Sequence, residues 1–355
     1  MEGKMHSITF YPVNNADTVL LKAGYSVLTD IHYRGSAQDE NDDEAHNIGQ
    51  DIRDALEDGQ LDVFINTHPD KDHVSGFKDL FHTGCPTSWS KESDLILVKE
   101  IWITSYTDKL TDTTAQSKPL IDEIKRRKKV KAEDRRKDGN RLIIVRKGDK
   151  LKLSSNLAGR VLAPTDEECN DAEKDERKRN NSSIVIRWEY SSNERQFHIM
   201  LAGDAEYQVW ERLNDEYSKE ELSWNLLLAP HHCSRTPYSY KNENKQYVNS
   251  DKAWEALSNC SGNGFVVASC KQIKKNDDNP PHYHAKERYI GLLEKQKTGG
   301  EKRFFNPETH SPQNTPKPVT FELSDKGIKI KQRNTEYSSE SLSVGAASKP
   351  TQYGG

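Results

Sequence analysis

LDVFINTHPDKDH (61–73) is the stretch on which the reading of the whole chain turns. Its first part, LDVFINT (61–67), is a short apolar run of the kind that fills a strand buried on both faces, as in a parallel sheet. Its second part packs His68, Asp70, Asp72 and His73 into six residues at the end of that strand. Imidazole and carboxylate in one cluster suit Zn, Mn or Fe better than Mg or Ca. A tight loop after a strand splays alternate side chains toward two adjacent positions. A polar turn that happens to hold histidines would read the same in isolation.

Two further stretches repeat the pattern. QFHIMLAGD (196–204) is an apolar run that stops at Gly203 and presents Asp204, and WNLLLAPHH (224–232) ends on His231 and His232. Three buried strands, each delivering a ligand-type side chain at its end, are how an open metal site is assembled from a sheet edge. Around them, SITFYPV (7–13), TVLLKA (18–23) and SVLTDI (26–31) read as short strands. Ile48, Ile52, Ala55 and Leu56 repeat at helical spacing before the stop at Gly59, and Val74 to Phe81 begins another helix. LILVKEIWITS (95–105) is a strand, followed by a basic helix over 119–137, a strand pair at 141–146 and 151–153, and a charged connector over 165–180. SSIVIRWEY (182–190) and QFHIMLAGD form an antiparallel pair, and GFVVASC (264–270) is a further strand. Helices follow over 205–213 and 284–296, and a terminal strand pair (303–305, 318–331) closes the chain. The expectation is a β-sandwich flanked by helices: one domain over 1–331 with a charged insertion at about 107–180, and a disordered tail over 332–355.

Composition bounds the rest. The chain has 355 residues, 33% apolar and 30% charged, enough for a sizeable core under a heavily charged surface. No run approaches the roughly 18 to 20 apolar residues that cross a bilayer, and the first residues lack a cationic flank with an apolar run behind it. A cytoplasmic protein with no membrane partner is expected. Five scattered cysteines without a CxxC pair point to neither a zinc ribbon nor a disulfide framework. Net charge of −4 is uneven: GSAQDENDDEAHN (35–47) reads as an acidic solvated loop, and KRRKKVKAEDRRK (125–137) is basic. Lys125, Arg126, Arg127, Lys128 and Lys129 are candidate contacts to nucleic-acid phosphates. A solvated helix face explains the same run, which holds no aromatic residue for base stacking.

THPDKDH (67–73), GDA (203–205) and PHH (230–232) together resemble the metallo-β-lactamase superfamily. Asp70 in place of that family's second histidine resembles a narrower branch, the soluble hydrolase domain of ComEC-type competence proteins. Further matches span residues 7–330. ITFYPVNNADTVLLK (8–22) resembles the opening strand and GQGDA-type turn, with Asp17 at the turn's aspartate, and SVLTD (26–30) puts Asp30 at the first-motif aspartate. NNSSIVIRW (180–188) resembles the Asn-x-Ser strand, HHCS (231–234) stands for HHGS, and PHYHAKERYIGLL (281–293) resembles the segment before the last helix. The chain departs from the pattern at Asn14, Ala16 and Cys233, where glycines are usual. Arg179 to Ser183 occupies the region of the missing third-motif histidine, and the membrane channel of the competence proteins is missing.

The resemblance implies an αββα sandwich of the metallo-β-lactamase fold and hydrolysis of phosphodiesters in DNA or a nucleotide by a metal-bound hydroxide. It assigns His68 and Asp70 to one Zn²⁺ or Mn²⁺ ion, and Asp72, His73 and one of His231 or His232 to another, with Asp204 between them. One or two ions per chain remain open, because the first site lacks its third ligand; water or Asn181 would complete it. Asp17 and Asp30 are expected to orient ligand histidines. Asp72 is a candidate catalytic residue, and so are His282 and His284, which would contact phosphate or protonate the leaving group. The activity would be that of a nuclease acting in a bacterial defence or DNA-processing complex with a protein partner. A small or cyclic nucleotide substrate, another ester, and a non-catalytic partner-binding scaffold are the alternatives.

Overall fold

Nearly every strand that ends at the ligand-type residues is apolar on both faces, and such strands need a layer packed on each side. The computed structural model supplies those layers; it describes residues 5–33, 46–56, 58–193, 195–276 and 279–331, and two short strands beyond them. In chain order the strands are β1 (His6–Phe10), β2 (Val19–Lys22), β3 (Ser26–Thr29), β4 (Gln60–Ile65), β5 (Leu97–Ile103), β6 (Arg141–Ile144), β7 (Lys150–Lys152), β8 (Leu157–Ala163) and β9 (Val185–Ser192). They continue with β10 (Arg195–Leu201), β11 (Trp224–Leu228), β12 (Ser239–Lys241), β13 (Tyr247–Asn249), β14 (Cys260–Val267), β15 (Phe304–Phe305), β16 (Val319–Ser324), β17 (Gly327–Ile330), β18 (Ser343–Val344) and β19 (Ala347–Ser348).

One large sheet runs β18-β17-β16-β1-β2-β3-β4-β5-β6 and a second β15-β14-β11-β10-β9-β8-β7, with β19 beside β10; β12 and β13 pair with each other apart from both. Each sheet is half antiparallel and half parallel. In the first, β3 to β6 are parallel; in the second, β10, β11, β14 and β15 are. The inner faces share a core that includes Trp102 stacked on Trp188, with ring centroids 6.3 Å apart, and Phe265 against Phe321. The first sheet's outer face packs Phe64 against Phe77 and Phe81, and is covered by Ile52, Ile121 and Ile124 from helices. The second sheet's outer face is covered by Val209, Trp210 and Leu213 of one helix and by Tyr289 and Leu293 of another. Two sheets with helices outside each make the αββα sandwich of the metallo-β-lactamase fold. Parallel strands end together, so the carboxyl ends of β4, β10 and β11 bring their loops to one rim.

Several elements differ from the sequence reading. The region over 74–81 is two single helical turns, Lys71–Val74 and Phe77–Leu80. Gly76 separates them at φ +78°, where a Cβ would stand 2.5 Å from the Tyr33 carbonyl oxygen. The basic helix ends at Lys128 rather than 137. The strands at 141–144 and 150–152 are not a pair: they lie in different sheets, because the chain crosses the sandwich between them. Nor does Phe304–Phe305 pair with the last hairpin; it adds to the edge of the second sheet, while β16 and β17 extend the first. Residues 107–180, read as an insertion, supply β6, β7 and β8 to the frame itself. The acidic stretch 35–47 lies outside the described residues except for His46 and Asn47, and so does the tail over 332–355 except for β18 and β19. Among the described residues, no helix is long and apolar enough to cross a membrane.

The basic run also finds a different use. Arg127 is buried, its Nε donating to Glu123 Oε1 at 2.8 Å and its other nitrogens to the carbonyls of Val98 and Arg141 at 2.8 and 2.7 Å. Arg126 pairs with Glu123 at 2.7 Å and Lys128 with Asp108 at 2.8 Å. Arg127 therefore cannot be a nucleic-acid contact, and Arg126 and Lys128 are already engaged; only Lys125 and Lys129 of the five are exposed with no ion pair among the described residues. Arg127 holds the start of β5, and from Val98 to the rim at Ile103 is about 17 Å along the strand.

Burial works against the Glu123 carboxylate, but hydrogen bonds from Arg126 and the charge of Arg127 outweigh it and hold its pKa below the ordinary 4.5. A depressed carboxylate contributes stability that is present above the unfolded pKa and lost as pH falls through the folded one. Removing one partner of a buried pair costs roughly 3–5 kcal/mol. Glu123→Gln is expected to lower the thermal midpoint markedly at pH 7, and the gap to wild type should narrow in melts taken progressively below pH 4.5. A constant gap across that range would remove the charge pair as its cause.

Candidate metal centre

Glycine sets the spacing at the rim. Gly203, in the loop that follows β10, has φ +48°, and a Cβ there would lie 2.8 Å from Thr67 Oγ1 and 3.2 Å from Ser183 Cβ. Only a bare α-carbon lets the loop after β10 approach the loop after β4 so closely. Backbone bonds then lock the loops together: Ile184 N–H to Thr67 O at 3.1 Å, and His231 N–H to Gly203 O at 3.0 Å. The result is that Asp204 reaches the histidines of two other loops.

Its two oxygens face different groups. Asp204 Oδ1 lies 3.3 Å from His73 Nε2 and 3.6 Å from His232 Nε2, and the latter is 3.3 Å from Asp72 Oδ2. Asp204 Oδ2 lies 3.7 Å from His68 Nε2 and 3.5 Å from His231 Nε2, and His68 Nε2 is 3.9 Å from Asp70 Oδ2. The donors therefore fall into two halves that share Asp204: Asp72, His73 and His232 on one side, His68, Asp70 and His231 on the other. The sequence left open which of His231 and His232 belongs to the centre. Both border it, one in each half.

The turn that separates them is costly. His231, His232 and Cys233 all have left-handed backbone, at φ +50°, +50° and +61°, and non-glycine residues held there cost about 1–3 kcal/mol each. The conformation aims two neighbouring imidazoles at two positions. Cys233 stands where the motif that HHCS resembles has glycine, in the backbone conformation that glycine favours.

The second ring nitrogens are held from behind. Asp30, fully buried, accepts His73 Nδ1–H at 2.7 Å, Thr67 Oγ1–H at 2.6 Å and Thr67 N–H at 2.8 Å. Asp17 Oδ1 lies 3.5 Å from His232 Nδ1, and Thr236 Oγ1 is 2.8 Å from His231 Nδ1. Asp17, His73, Asp204 and His232 can all place a ligand atom within 4.8 Å of one another. Asp17 nevertheless faces the far nitrogen of His232, so we read it as orienting that ring. Asn181 Oδ1 accepts the Glu206 N–H at 3.3 Å and its amide reaches Gln208, which steadies the loop after Asp204. His282 is tied by its N–H to the Cys233 carbonyl, and its Nδ1 accepts the His284 N–H as the cap of the last long helix.

Two residues escaped the sequence reading. Arg179 pairs with Asp70 Oδ2 at 2.9 Å, and Glu206 Oε1 lies 3.8 Å from His231 Nδ1. Glu206 follows the recognisable GDA motif by one position, a signal that proximity alone would have raised; Arg179 was marked only as opening the segment where the third-motif histidine is missing, with no role attached to it.

Charge is sharply divided. Burial, with His73 adding to it, lowers the His68 imidazole to about 3. Burial would also lower His232, but the Asp204 and Asp17 carboxylates push it up to about 10; the same contest, led by Asp204 and Asp30, raises His73 well above the ordinary value. Burial opposes ionisation of Asp204, yet the charges of His231, His232 and His73 hold it well below the usual carboxylate range. Burial lifts Asp70 to about 6 against the pull of Arg179, and raises Glu206 as well.

A divalent cation fits these residues. Nε2 of His68, His73 and His232 and Oδ1 of Asp204 are buried with no acceptable hydrogen-bond partner in the protein, and leaving such groups unsatisfied costs about 1–3 kcal/mol apiece. Metal–ligand bonds of about 2.1 Å at tetrahedral angles put ligand atoms about 3.4 Å apart. The donor spacings of 3.3–3.9 Å bracket that value. A cleft of about 670 Å³ opens over the centre, lined by Lys71, Tyr106, Arg177, Arg179 and Pro280 among others.

Fold and donor set together define an αββα sandwich with a candidate metal centre at its rim. No family model and no curated protein matches the chain. Among solved structures it is similar to unliganded yeast PDE1, at 13% identity over 90% of this chain and 99% of that one, with a TM-score of 0.46. It is similar to an isothiocyanate hydrolase from Delia radicum gut bacteria, at 15% identity over 84% and 96% of the two chains and a TM-score of 0.38. It is also similar to a B3 metallo-β-lactamase with an active-site glutamic acid, at 10% identity over 72% and 86% and a TM-score of 0.37.

Carboxylates behind ligand histidines are worth about 10–100-fold in metal affinity. Asp30→Ala is therefore expected to weaken Mn²⁺ or Zn²⁺ binding by that factor in calorimetric titration, while the far-UV circular dichroism stays that of the parent. Unchanged affinity would mean that His73 is not a ligand.

Proposed function

We propose that the protein is a metal-dependent phosphodiesterase whose cleft takes one nucleotide unit, either the end of a DNA strand or a small nucleotide diester. The observation that carries the reading is Asp204, with one oxygen toward His73 and His232 and the other toward His68 and His231. A carboxylate shared by two donor sets is suited to a pair of cations, Zn²⁺ or Mn²⁺ by the mix of imidazole and carboxylate. When bound, such cations polarise a phosphoryl oxygen, bring the pKa of water toward neutrality and stabilise the leaving oxygen.

The chain's own residues do the remainder. Asp72, His73 and His232 would hold one cation and His68, Asp70 and His231 the other, with Asp204 available to both. Asp30 and Asp17 keep the His73 and His232 rings from turning. Lys71 lines the cleft and offers positive charge to a substrate's phosphate; Arg177 lines it too, but its guanidinium is held by both oxygens of Asp175 at 2.9 Å. For His282, read from the sequence as a candidate acid for the leaving group, burial, then the charges of Arg235 and His284, lower the pKa and favour the neutral ring, which suits a proton acceptor rather than an acid. Localisation in the cytoplasm and a protein partner in a multi-subunit system belong to the same proposal.

The basic segment does not support long-duplex binding at the cleft, because Arg127 is spent on Glu123 and bonds the carbonyls of Val98 and Arg141, at the starts of β5 and β6 and away from the rim. A cleft of about 670 Å³ lies within the range of small-ligand sites, which favours strand ends or free nucleotides over internal cutting.

The deciding experiment is Mn²⁺- and Zn²⁺-dependent hydrolysis of bis-p-nitrophenyl phosphate, cyclic dinucleotides, and linear and circular DNA, with Asp72→Ala beside wild type. We expect metal-dependent cleavage of the chromogenic diester and of linear DNA or a dinucleotide, lost in Asp72→Ala and unaltered by Lys125→Gln with Lys129→Gln. Cutting of closed circular DNA would overturn the end-directed reading. Stoichiometric metal with no turnover of any diester would overturn the phosphodiesterase.

A further inference from the structure

Asp70 and Asp72 hold matching places in the centre, each facing one imidazole of its own half, but their surroundings differ in charge. Asp72 Oδ2 lies 3.3 Å from His232 Nε2, and among the described residues no lysine or arginine pairs with it. Asp70 Oδ2 lies 3.9 Å from His68 Nε2, and that same oxygen faces Arg179 Nε at 2.9 Å. Glu176 steers the arginine from behind, its Oε1 accepting Arg179 Nη1–H at 2.9 Å. A guanidinium is charged at every relevant pH and binds carboxylates through a rigid fork. The oxygen that a cation in the His68 half needs is thus already held by a fixed positive charge. Among the described residues no arginine or lysine takes that place in the other half, where Asp72 faces the ligand imidazole of His232 alone.

We propose, resting on the metal reading above, that Arg179 sets the order in which the centre loads. The half formed by Asp72, His73 and His232 takes its divalent cation first and tightly. The half formed by His68, Asp70 and His231 takes a second only in competition with Arg179. Arg179 lies at the cleft wall with 41% of its side chain exposed, so it has room to leave Asp70 without disturbing the core. It stands in the region where the sequence lacks the third-motif histidine, and it acts there as a positioning residue, not as a ligand.

The test is Mn²⁺ titration of the metal-free full chain by calorimetry, with electron paramagnetic resonance to detect spin-coupled Mn²⁺ pairs. Wild type, Arg179→Gln and Arg179→Lys are compared. Wild type should bind one ion tightly and a second at least about tenfold more weakly, a gap of about 1.4 kcal/mol. In Arg179→Gln the second dissociation constant should fall about tenfold with the first unchanged, and coupled pairs should form at lower Mn²⁺. Arg179→Lys keeps the charge and should keep the gap. Two equal sites in wild type would overturn the proposal, as would an Arg179→Gln titration identical to wild type or one in which both sites tighten equally. If none of the three proteins binds Mn²⁺ or Zn²⁺, the metal centre itself falls and this inference with it.

Discussion

A carboxylate almost wholly removed from water must be neutralised or matched by positive charge, and Asp204 is matched from every side. His231, His232 and His73 approach it from two loops and outweigh the burial that would protonate it. That arrangement exists only because Gly203 lets the loop after β10 touch Thr67 of the loop after β4. The sandwich's two parallel halves bring those loops to one rim, and the missing Cβ closes the last ångströms between them. Most of the site's order can be traced to this one contact.

From Asp204 outward the centre divides in two. The division depends on a short run of backbone that most residues avoid: His231, His232 and Cys233 in the left-handed region. In a regular strand, neighbours point to opposite faces, and one of the two histidines would face the core. In this turn both border the centre, one on each side of Asp204. Strain is stored where it separates two donors, and the backbone bonds from His231 N–H to Gly203 and from His282 N–H to Cys233 hold it in place.

Charge far from the centre has a different purpose. Glu123, Arg126 and Arg127 form a buried pair-and-fork that fastens the helix Lys118–Lys128 to the opening of β5 and to β6. The same residues written as a linear run look like a surface for polyanions. Their partners are carbonyls and carboxylates that the linear run does not display. At the rim the reverse holds: Lys71, Arg177 and Arg179 are scattered along the chain, and the cleft gathers them.

The local sequence determined the strands, their apolar runs, and the chemistry at their ends, since period and composition act over a few residues. LDVFINT, QFHIMLAG and WNLLLAP are buried strands, and His68, Asp70, Asp72, His73, Asp204, His231 and His232 are all found at one rim. Asp30 and Asp17 came from the family resemblance of the turns they occupy, not from period or composition, and the structure places them against His73 and His232. Tertiary structure alone decided what depends on distance: that His231 and His232 serve different halves, that Arg179 meets Asp70 from more than a hundred residues away, that β6 and β7 belong to different sheets, and that Arg127 is buried. Each of these is settled by a partner remote in the chain, and no local pattern encodes which remote group will supply the compensating charge or hydrogen bond.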